Sequence, residues 1–123
     1  MMCRLSTIAS VVFAAMLMPI LACAEEPGYV GGFGALPLAD GLVEIAGAGV
    51  FFDTPDGRIV ERYASGTVAA AAVADFYDAT LPALGWHLLA PLVFARDDEV
   101  LSVTVYPPDT DNRLTVRFSL APR

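Results

Sequence analysis

The chain of 123 residues contains no lysine, a single histidine and only two cysteines. Cys3 and Cys23 both lie close to the N-terminus, so the rest of the chain has no thiol for a disulfide, a thiolate metal site or a nucleophile. One histidine also argues against a transition-metal site within one chain, because such sites draw mainly on histidine and cysteine. A small domain without cross-links depends on its hydrophobic core or on an oligomer for stability.

Basic residues are scarce as well. Arg4 is the only basic residue before Arg58, and all 14 acidic residues lie after Arg4. The net charge of −7 excludes a basic face that could follow a phosphate backbone, and it disfavours electrostatic docking onto anionic lipid. Nucleic acid is therefore not an expected partner.

The N-terminal part has the pattern of an export signal. Arg4 precedes an apolar run over residues 8–21 that is interrupted only by Ser10 and Pro19. This run is shorter than the roughly 20 apolar residues that span a bilayer, and its length is typical of a secretory signal peptide. We therefore predict a signal segment over residues 1–24 and a periplasmic or otherwise exported protein.

Two kinds of processing fit the end of this segment. Ala22-Cys23-Ala24 is an A-x-A site, and cleavage after Ala24 would release a soluble protein. Residues 20–23 also resemble a lipobox, in which Cys23 would become the first mature residue and carry a lipid. A third reading is an uncleaved N-terminal anchor. The membrane is thus expected as a partner only through a signal anchor or a lipidated Cys23.

Residues 25–48 are rich in glycine, proline and alanine. Such a composition buries little apolar surface for each residue that is ordered. We interpret the stretch as a tether between the signal segment and a domain over residues 49–121. Tyr29, Val30 and Phe33 give it enough hydrophobicity to dock partly onto that domain, and residues 42–45 could add a short strand.

The domain begins with a predicted β-hairpin and a helix. Two apolar strands around residues 50–63 flank the turn sequence Thr54-Pro55-Asp56-Gly57, which places proline, aspartate and glycine where a tight turn favours them. Ser65 or Thr67 then provides a helix cap. A helix is predicted from the spacing of its apolar residues and from Gly85 at its end, with Pro82 as an irregularity. Those apolar residues are Val73, Phe76, Tyr77, Leu81 and Leu84.

The remainder is predicted to be β-structure. Alternating apolar residues favour strands over residues 100–106 and 114–120, and two shorter strands over 86–89 and 92–96. The predicted fold class is α+β, with one helix packed on one face of an antiparallel sheet and the element order β-β-α-β-β-β-β.

The run from Val73 to Trp86, which contains Phe76-Tyr77, Leu81-Pro82 and Leu84-Gly85, is followed by Phe94 and Arg96. Together with the alternating strand pair, this pattern resembles a helix-to-strand motif of small bacterial envelope proteins and lipoproteins. The resemblance covers residues 50–121 and implies an exported α+β module. It implies no catalytic residue.

Residues that could carry chemistry are few. His87, as a general base, would need a carboxylate and a nucleophile beside it, and its place within an alternating strand favours a structural role. Residues 109–112 are loosely spaced like a calcium loop, but they lack its glycine and distal glutamate and fit a solvated turn better. Glu61 is expected to pair with Arg58 or Arg62 within the first hairpin. We predict no cofactor and no metal site.

Aromatic residues indicate a partner surface. Phe51 and Phe52 point to opposite faces of the first strand, and one of them is expected with Tyr63 and Tyr106 on the face away from the helix. The candidate partner surface is therefore Phe51, Tyr63 and Tyr106. The alternative, which we favour, is that residues 36–48 fold over this patch.

Three functions remain open at the level of sequence. The leading hypothesis is a non-enzymatic envelope domain that binds a protein or another envelope component. A second is a module that binds a small ligand or lipid in a cleft between helix and sheet. A third is an enzyme of unrecognised type that uses Asp53 and Glu61 with His87, which requires these side chains to converge in a pocket.

Overall fold

A computed structural model describes residues 28–123, so the predicted signal segment and Cys23 lie outside the described residues. The described part contains one helix and six strands in the order β-β-α-β-β-β-β. They are β1 (Val43–Thr54), β2 (Gly57–Gly66), α1 (Ala70–Ala83), β3 (His87–Ala90), β4 (Val93–Arg96), β5 (Glu99–Val105) and β6 (Leu114–Pro122). The predicted α+β class is confirmed.

All six strands form one sheet in the order β1-β2-β6-β5-β4-β3. Every neighbouring pair is antiparallel. β1 and β3 are the two edges, and β6 lies between β2 and β5 because the chain returns there after forming the other strands. The spacing between neighbouring strands puts the two edges roughly 24 Å apart.

The first hairpin forms where the sequence predicts it. Thr54 pairs with Gly57 across the turn residues Pro55 and Asp56. Gly57 has a φ of 140°, which a side chain would disfavour, and the Thr54 hydroxyl donates a hydrogen bond of 2.6 Å to the Gly57 carbonyl. The local turn chemistry therefore sets the register of β1 against β2.

Helix α1 begins differently from the prediction. Its N-cap is Ala69, which offers no side-chain hydrogen bond, and Ser65 belongs to β2. The end agrees with the prediction, because Gly85 has a φ of 90° immediately after the last turn and Pro82 lies inside that turn.

Arg96 secures the C-terminal end of α1. Its Nη1 donates a 3.0 Å hydrogen bond to the Leu84 carbonyl, which lies just beyond the last turn. Its guanidinium carbon also lies 4.4 Å from the centre of the Trp86 ring, within the range of a cation–π contact. A single side chain thus joins β4 to the end of the helix.

Residues 28–42 belong to the hydrophobic core, which corrects the expectation of a tether for this stretch. Their apolar residues are buried in the same cluster as the helix and sheet residues. These residues are Val30, Phe33, Leu36, Ala39 and Leu42. The Phe33 ring meets the Phe118 ring edge-on at 6.3 Å, so the segment packs directly on β6. Residues 43–48, the rest of the predicted tether, form the first half of β1.

Tyr77 connects the helix to this segment. Its ring is fully buried and meets Phe118 edge-on at 5.4 Å. Its hydroxyl donates to the Pro37 carbonyl at 2.9 Å and accepts from the Ala39 N–H at 3.2 Å. Burial raises the pKa of the Tyr77 hydroxyl well above its usual range, while the hydrogen bond from Ala39 acts in the opposite direction. Tyr77 is therefore neutral in the folded protein and holds two layers of the core together.

No helix within residues 28–123 is both long enough and apolar enough to cross a membrane.

Candidate functional site: the open face of the sheet

The sheet has one covered face and one open face. Helix α1 and residues 28–42 pack on the face formed by Val60, Leu101 and Phe118 and their alternating neighbours, which we call the covered face. Side chains one position away along each strand point to the opposite side, which we call the open face. It consists of Val43, Val50, Phe52, Thr54, Ile59, Glu61, Tyr63, Ser65, His87, Ala90, Val93, Ala95, Val100, Ser102, Thr104, Tyr106, Thr115, Arg117, Ser119 and Ala121.

Three aromatic residues are spread over the open face. Tyr63 on β2 lies opposite Arg117 on β6, and Arg117 lies opposite Thr104 on β5. Tyr106 follows β5 and donates its N–H to Thr115 at 2.9 Å, which places it next to this row. Tyr106 is 39% exposed and Phe52, at the β1 edge, is 57% exposed. Accessible aromatic side chains are typical of protein-binding surfaces.

The position of Phe51 corrects the predicted partner surface. Phe51 pairs with Val60 and therefore lies on the covered face, whereas Phe52 pairs with Ile59 and lies on the open face. Tyr63 and Tyr106 share the open face, as the alternation predicts. The favoured alternative is also corrected, because residues 36–42 pack on the covered face and leave the two tyrosines uncovered.

An ion pair occupies the middle of the open face. Arg117 donates from Nη2 to Glu61 on the adjacent strand, and both side chains are about a quarter to a third exposed. The Nε of Arg117 is buried and has no hydrogen-bond partner within residues 28–123. This pair keeps the centre of the face close to neutral.

The predicted pairing of Glu61 within the first hairpin is wrong. Arg58 instead bonds Glu99 on β5, with its Nε 3.0 Å from the carboxylate. Arg62 faces Glu44, with 3.6 Å between Nε and the nearest carboxylate oxygen. Neither arginine lies on the open face, since both alternate with Ile59 and Glu61 along β2. Sequence alone could not show this, because β6 and β5 approach β2 only in the folded sheet.

The carboxylates and histidine proposed for an enzyme do not converge. Asp53 lies on the β1 edge and His87 on the β3 edge, and both are exposed. Glu61 lies between them on β2, paired with Arg117. With the edges roughly 24 Å apart, these three side chains cannot act on one substrate.

The acidic loop over residues 109–112 is a turn that is stabilised by hydrogen bonds to the Asp109 carboxylate. Asp109 Oδ1 accepts the backbone N–H groups of Asp111 at 2.9 Å and Arg113 at 3.0 Å. Asn112 has a φ of 57°, which suits the turn. Within the described range 28–123, no three potential metal-ligating residues come together.

A groove lies between the end of α1 and the β3–β4 hairpin. It has a volume of about 390 Å³ and a mainly apolar lining. Its lining residues are Asp78, Pro82, Leu88, Leu89, Ala90, Pro91 and Phe94. Leu88 and Leu89 are 60% and 52% exposed, so the groove opens to solvent at the edge of the sheet. This is the cleft between helix and sheet that the ligand-binding hypothesis requires.

Comparison with protein-family models, with curated proteins and with solved structures finds no match to this chain. The resemblance to small envelope proteins and lipoproteins therefore stays a prediction from the residues of the helix-to-strand motif.

Proposed function

We propose that this chain is an exported, non-enzymatic envelope domain that binds another protein of the envelope through the open face of its sheet. The observation that carries the proposal is the contrast between the two faces. Within residues 28–123, helix α1 and residues 28–42 cover the centre of one face, whereas the other face presents Phe52, Tyr63 and Tyr106 without a covering layer.

The dimensions of the open face suit a protein partner. Strand spacing and rise give it an area of about 500 Å². This is the size of the largest patches on soluble proteins, which are often functional, and it approaches one partner's share of a standard interface. Because the face extends over several neighbouring strands, it favours a macromolecule over a small metabolite.

The distribution of charged residues also supports the binding of a protein partner to the open face. Glu61 and Arg117, on the central strands of the open face, neutralise each other, and Arg113 reaches the border of this face with a 3.3 Å hydrogen bond from Nη1 to the Ser65 hydroxyl. The other acidic residues lie in loops, on the helix or on the covered side, as Asp75, Asp97 and Asp109 illustrate. A surface that is close to neutral on an acidic protein can be desolvated at a lower cost than its surroundings.

Site-specific photo-crosslinking tests the proposal. A photoreactive phenylalanine analogue is placed at Tyr63 or Tyr106, and the matched control carries it at Tyr29, which is 55% exposed but lies in the segment that packs on the covered face. In cells exporting the protein, we expect one discrete adduct from the open-face positions and none from Tyr29. Adducts that are equally abundant from Tyr29, or absent from both tyrosines, would contradict the proposal.

The groove beside Leu88 supports a second candidate function, the binding of a small apolar ligand such as an acyl chain. Its volume of about 390 Å³ falls within the range of small-molecule sites. Titration with a medium-chain fatty acid should change the fluorescence of nearby Trp86, the only tryptophan. Leu88→Asp should abolish the change, and Val43→Asp, at an equally exposed position on the opposite edge, should not. A response that survives Leu88→Asp would rule out this site.

A further inference from the structure

Within residues 28–123, no strand pairs with the outer edge of β1. β1 pairs with β2 on one side only, and after a bulge between Glu44 and Gly49 it runs regularly to Thr54. This stretch contains no proline and a single charged residue, Asp53, and Val50, Phe51 and Phe52 are 39%, 52% and 57% exposed. Natural sheets usually guard such an edge with charges, prolines or a covering segment.

We propose that two copies of this chain pair through the outer edges of β1, antiparallel about a two-fold axis at Phe51. The two six-stranded sheets then form one continuous sheet. A second copy is the natural occupant because the stretch is complementary to itself in this register. Phe51 meets the second copy's Phe51 on the covered face, and Val50 meets the second copy's Phe52 on the open face.

The alternation of side chains makes this register specific. Moving the two-fold axis by one residue to Phe52 would still pair Phe52 with itself, but it would place Asp53 opposite the second copy's Phe51, which sets a carboxylate against a ring. Moving it to Val50 would place Phe51 opposite Gly49, which has no side chain. Only the axis at Phe51 matches every exposed apolar residue of the stretch with another apolar residue.

Charge complementarity supports the same arrangement. With the axis at Phe51, Asp53 lies opposite the second copy's Gly49 on the covered face. A Cβ at Gly49 would approach Nη1 of Arg62 to 2.9 Å, so that guanidinium lies directly beside the glycine, where it also donates to the Glu61 carbonyl at 3.2 Å. Asp53 has no ion pair within residues 28–123, and the contact of Arg62 with Glu44 is long at 3.6 Å. Each Asp53 carboxylate can therefore reach over Gly49 to the second copy's Arg62, twice by symmetry.

The inference does not depend on the proposed envelope partner, because it concerns the purified chain alone. The two-fold axis stands perpendicular to the sheet, so both covered layers stay on one side and both open faces join on the other. The pairing of Val50 with Phe52 would lie at the seam of that joint surface.

Single-cysteine cross-linking tests the register. Residues 25–123 contain every member of the described core and no cysteine, so an introduced thiol is unique. Directly opposite residues of an antiparallel pair have Cα atoms about 4.5–5.5 Å apart, which suits a disulfide. Under mild oxidation, Phe51→Cys should form a disulfide-linked dimer roughly ten times faster than Leu88→Cys, an exposed position on the other edge.

Sedimentation equilibrium tests the association itself. The unmodified protein should show a reversible monomer–dimer equilibrium. Asp53→Lys should raise the dimer dissociation constant by roughly tenfold or more, since it places a cation beside Arg62. Asp56→Lys, at the tip of the same hairpin, changes the net charge equally and should leave the constant unchanged. Circular dichroism and urea unfolding of each variant establish that it is folded.

Three results would overturn the inference. The first is a protein that remains monomeric up to its solubility limit. The second is faster cross-linking through Phe52→Cys than through Phe51→Cys, which would mean a different register. The third is a dimer that cross-links through Thr104→Cys, in which case the copies meet by their open faces.

Discussion

The burial of Phe33 provides the sharpest test of whether residues 28–42 belong to the core. Phe33 is 4% exposed and lies against Phe118 in an edge-on contact at 6.3 Å. Replacing a buried phenylalanine by alanine removes its transfer energy and leaves a cavity, which together cost about 3–5 kcal/mol. Small domains have a free energy of unfolding of about 5–15 kcal/mol, so Phe33→Ala should remove a large part of it.

Urea unfolding followed by the fluorescence of buried Trp86 measures this loss. With a denaturant slope of about 1.5 kcal/mol/M, the midpoint should fall by roughly 2–3 M. Tyr29→Ala is the matched control in the same segment, because Tyr29 is 55% exposed and its removal should change the stability by no more than about 0.5 kcal/mol. If Phe33→Ala costs less than about 1 kcal/mol, the segment contributes little and its packing has been misjudged.

Two further substitutions test the contacts between this segment and the rest of the fold. Tyr77→Phe should destabilise the protein by about 1–3 kcal/mol at neutral pH, because it leaves the buried Ala39 N–H and Pro37 carbonyl without a partner. Because the pKa of Tyr77 is raised in the folded protein, the free energy of unfolding is unaffected below the unfolded pKa of about 10. Above that pH, the free energy of unfolding falls by about 1.4 kcal/mol for each pH unit. Urea unfolding at pH 9 and 11 should therefore show a steeper loss for the parent than for Tyr77→Phe, and equal losses would contradict the assignment. Gly66→Ala should cost about 2 kcal/mol or more, since a Cβ there would overlap the Gly41 carbonyl; a neutral effect in thermal unfolding would show that the loop around Gly41 yields easily.

The local features of the fold could be predicted because each depends on neighbouring residues. The Thr54–Gly57 turn, the positive φ of Gly85 and the alternation of β6 all follow from short-range steric and hydrophobic rules. The helix cap was missed because α1 begins at Ala70 after an extended residue without a polar side chain. Its start is fixed by packing of Val73 and Tyr77 rather than by a cap.

The role of residues 28–42 could not be recognised by composition, although a signal was present. Apolar residues recur at every third position from Val30 to Leu42, a spacing that matches neither an α-helix nor a β-strand. Glycine and proline between them suggested a tether. The segment forms no helix or strand before Val43, but every third side chain from Val30 to Leu42 is buried in the core.

The faces of the sheet also required the structure. Alternation shows that Phe51 and Phe52 point in opposite directions, but only the pairing of Phe51 with Val60 shows which of them shares the side of the helix. The same applies to Glu61, whose partner Arg117 is 56 positions away in the sequence. Pairing between distant strands decides both questions, and no local pattern encodes it.

The two proposed surfaces differ in their dependence on salt, which allows them to be separated. On the open face, Glu61 and Arg117 already neutralise each other within one chain, so partner contacts there are aromatic and apolar. At the β1 edge, the proposed contact joins Asp53 to Arg62 between copies, near the solvent, where salt screens the attraction over about 10 Å at 0.1 M. Raising the salt concentration from 0.05 to about 0.5 M should therefore weaken self-association in sedimentation experiments and leave photo-crosslinking from Tyr106 nearly unchanged. If self-association and photo-crosslinking respond equally to salt, the Asp53–Arg62 contact does not hold the two copies together. The apolar pairs centred on Phe51 would then be the remaining source of affinity between the two β1 edges.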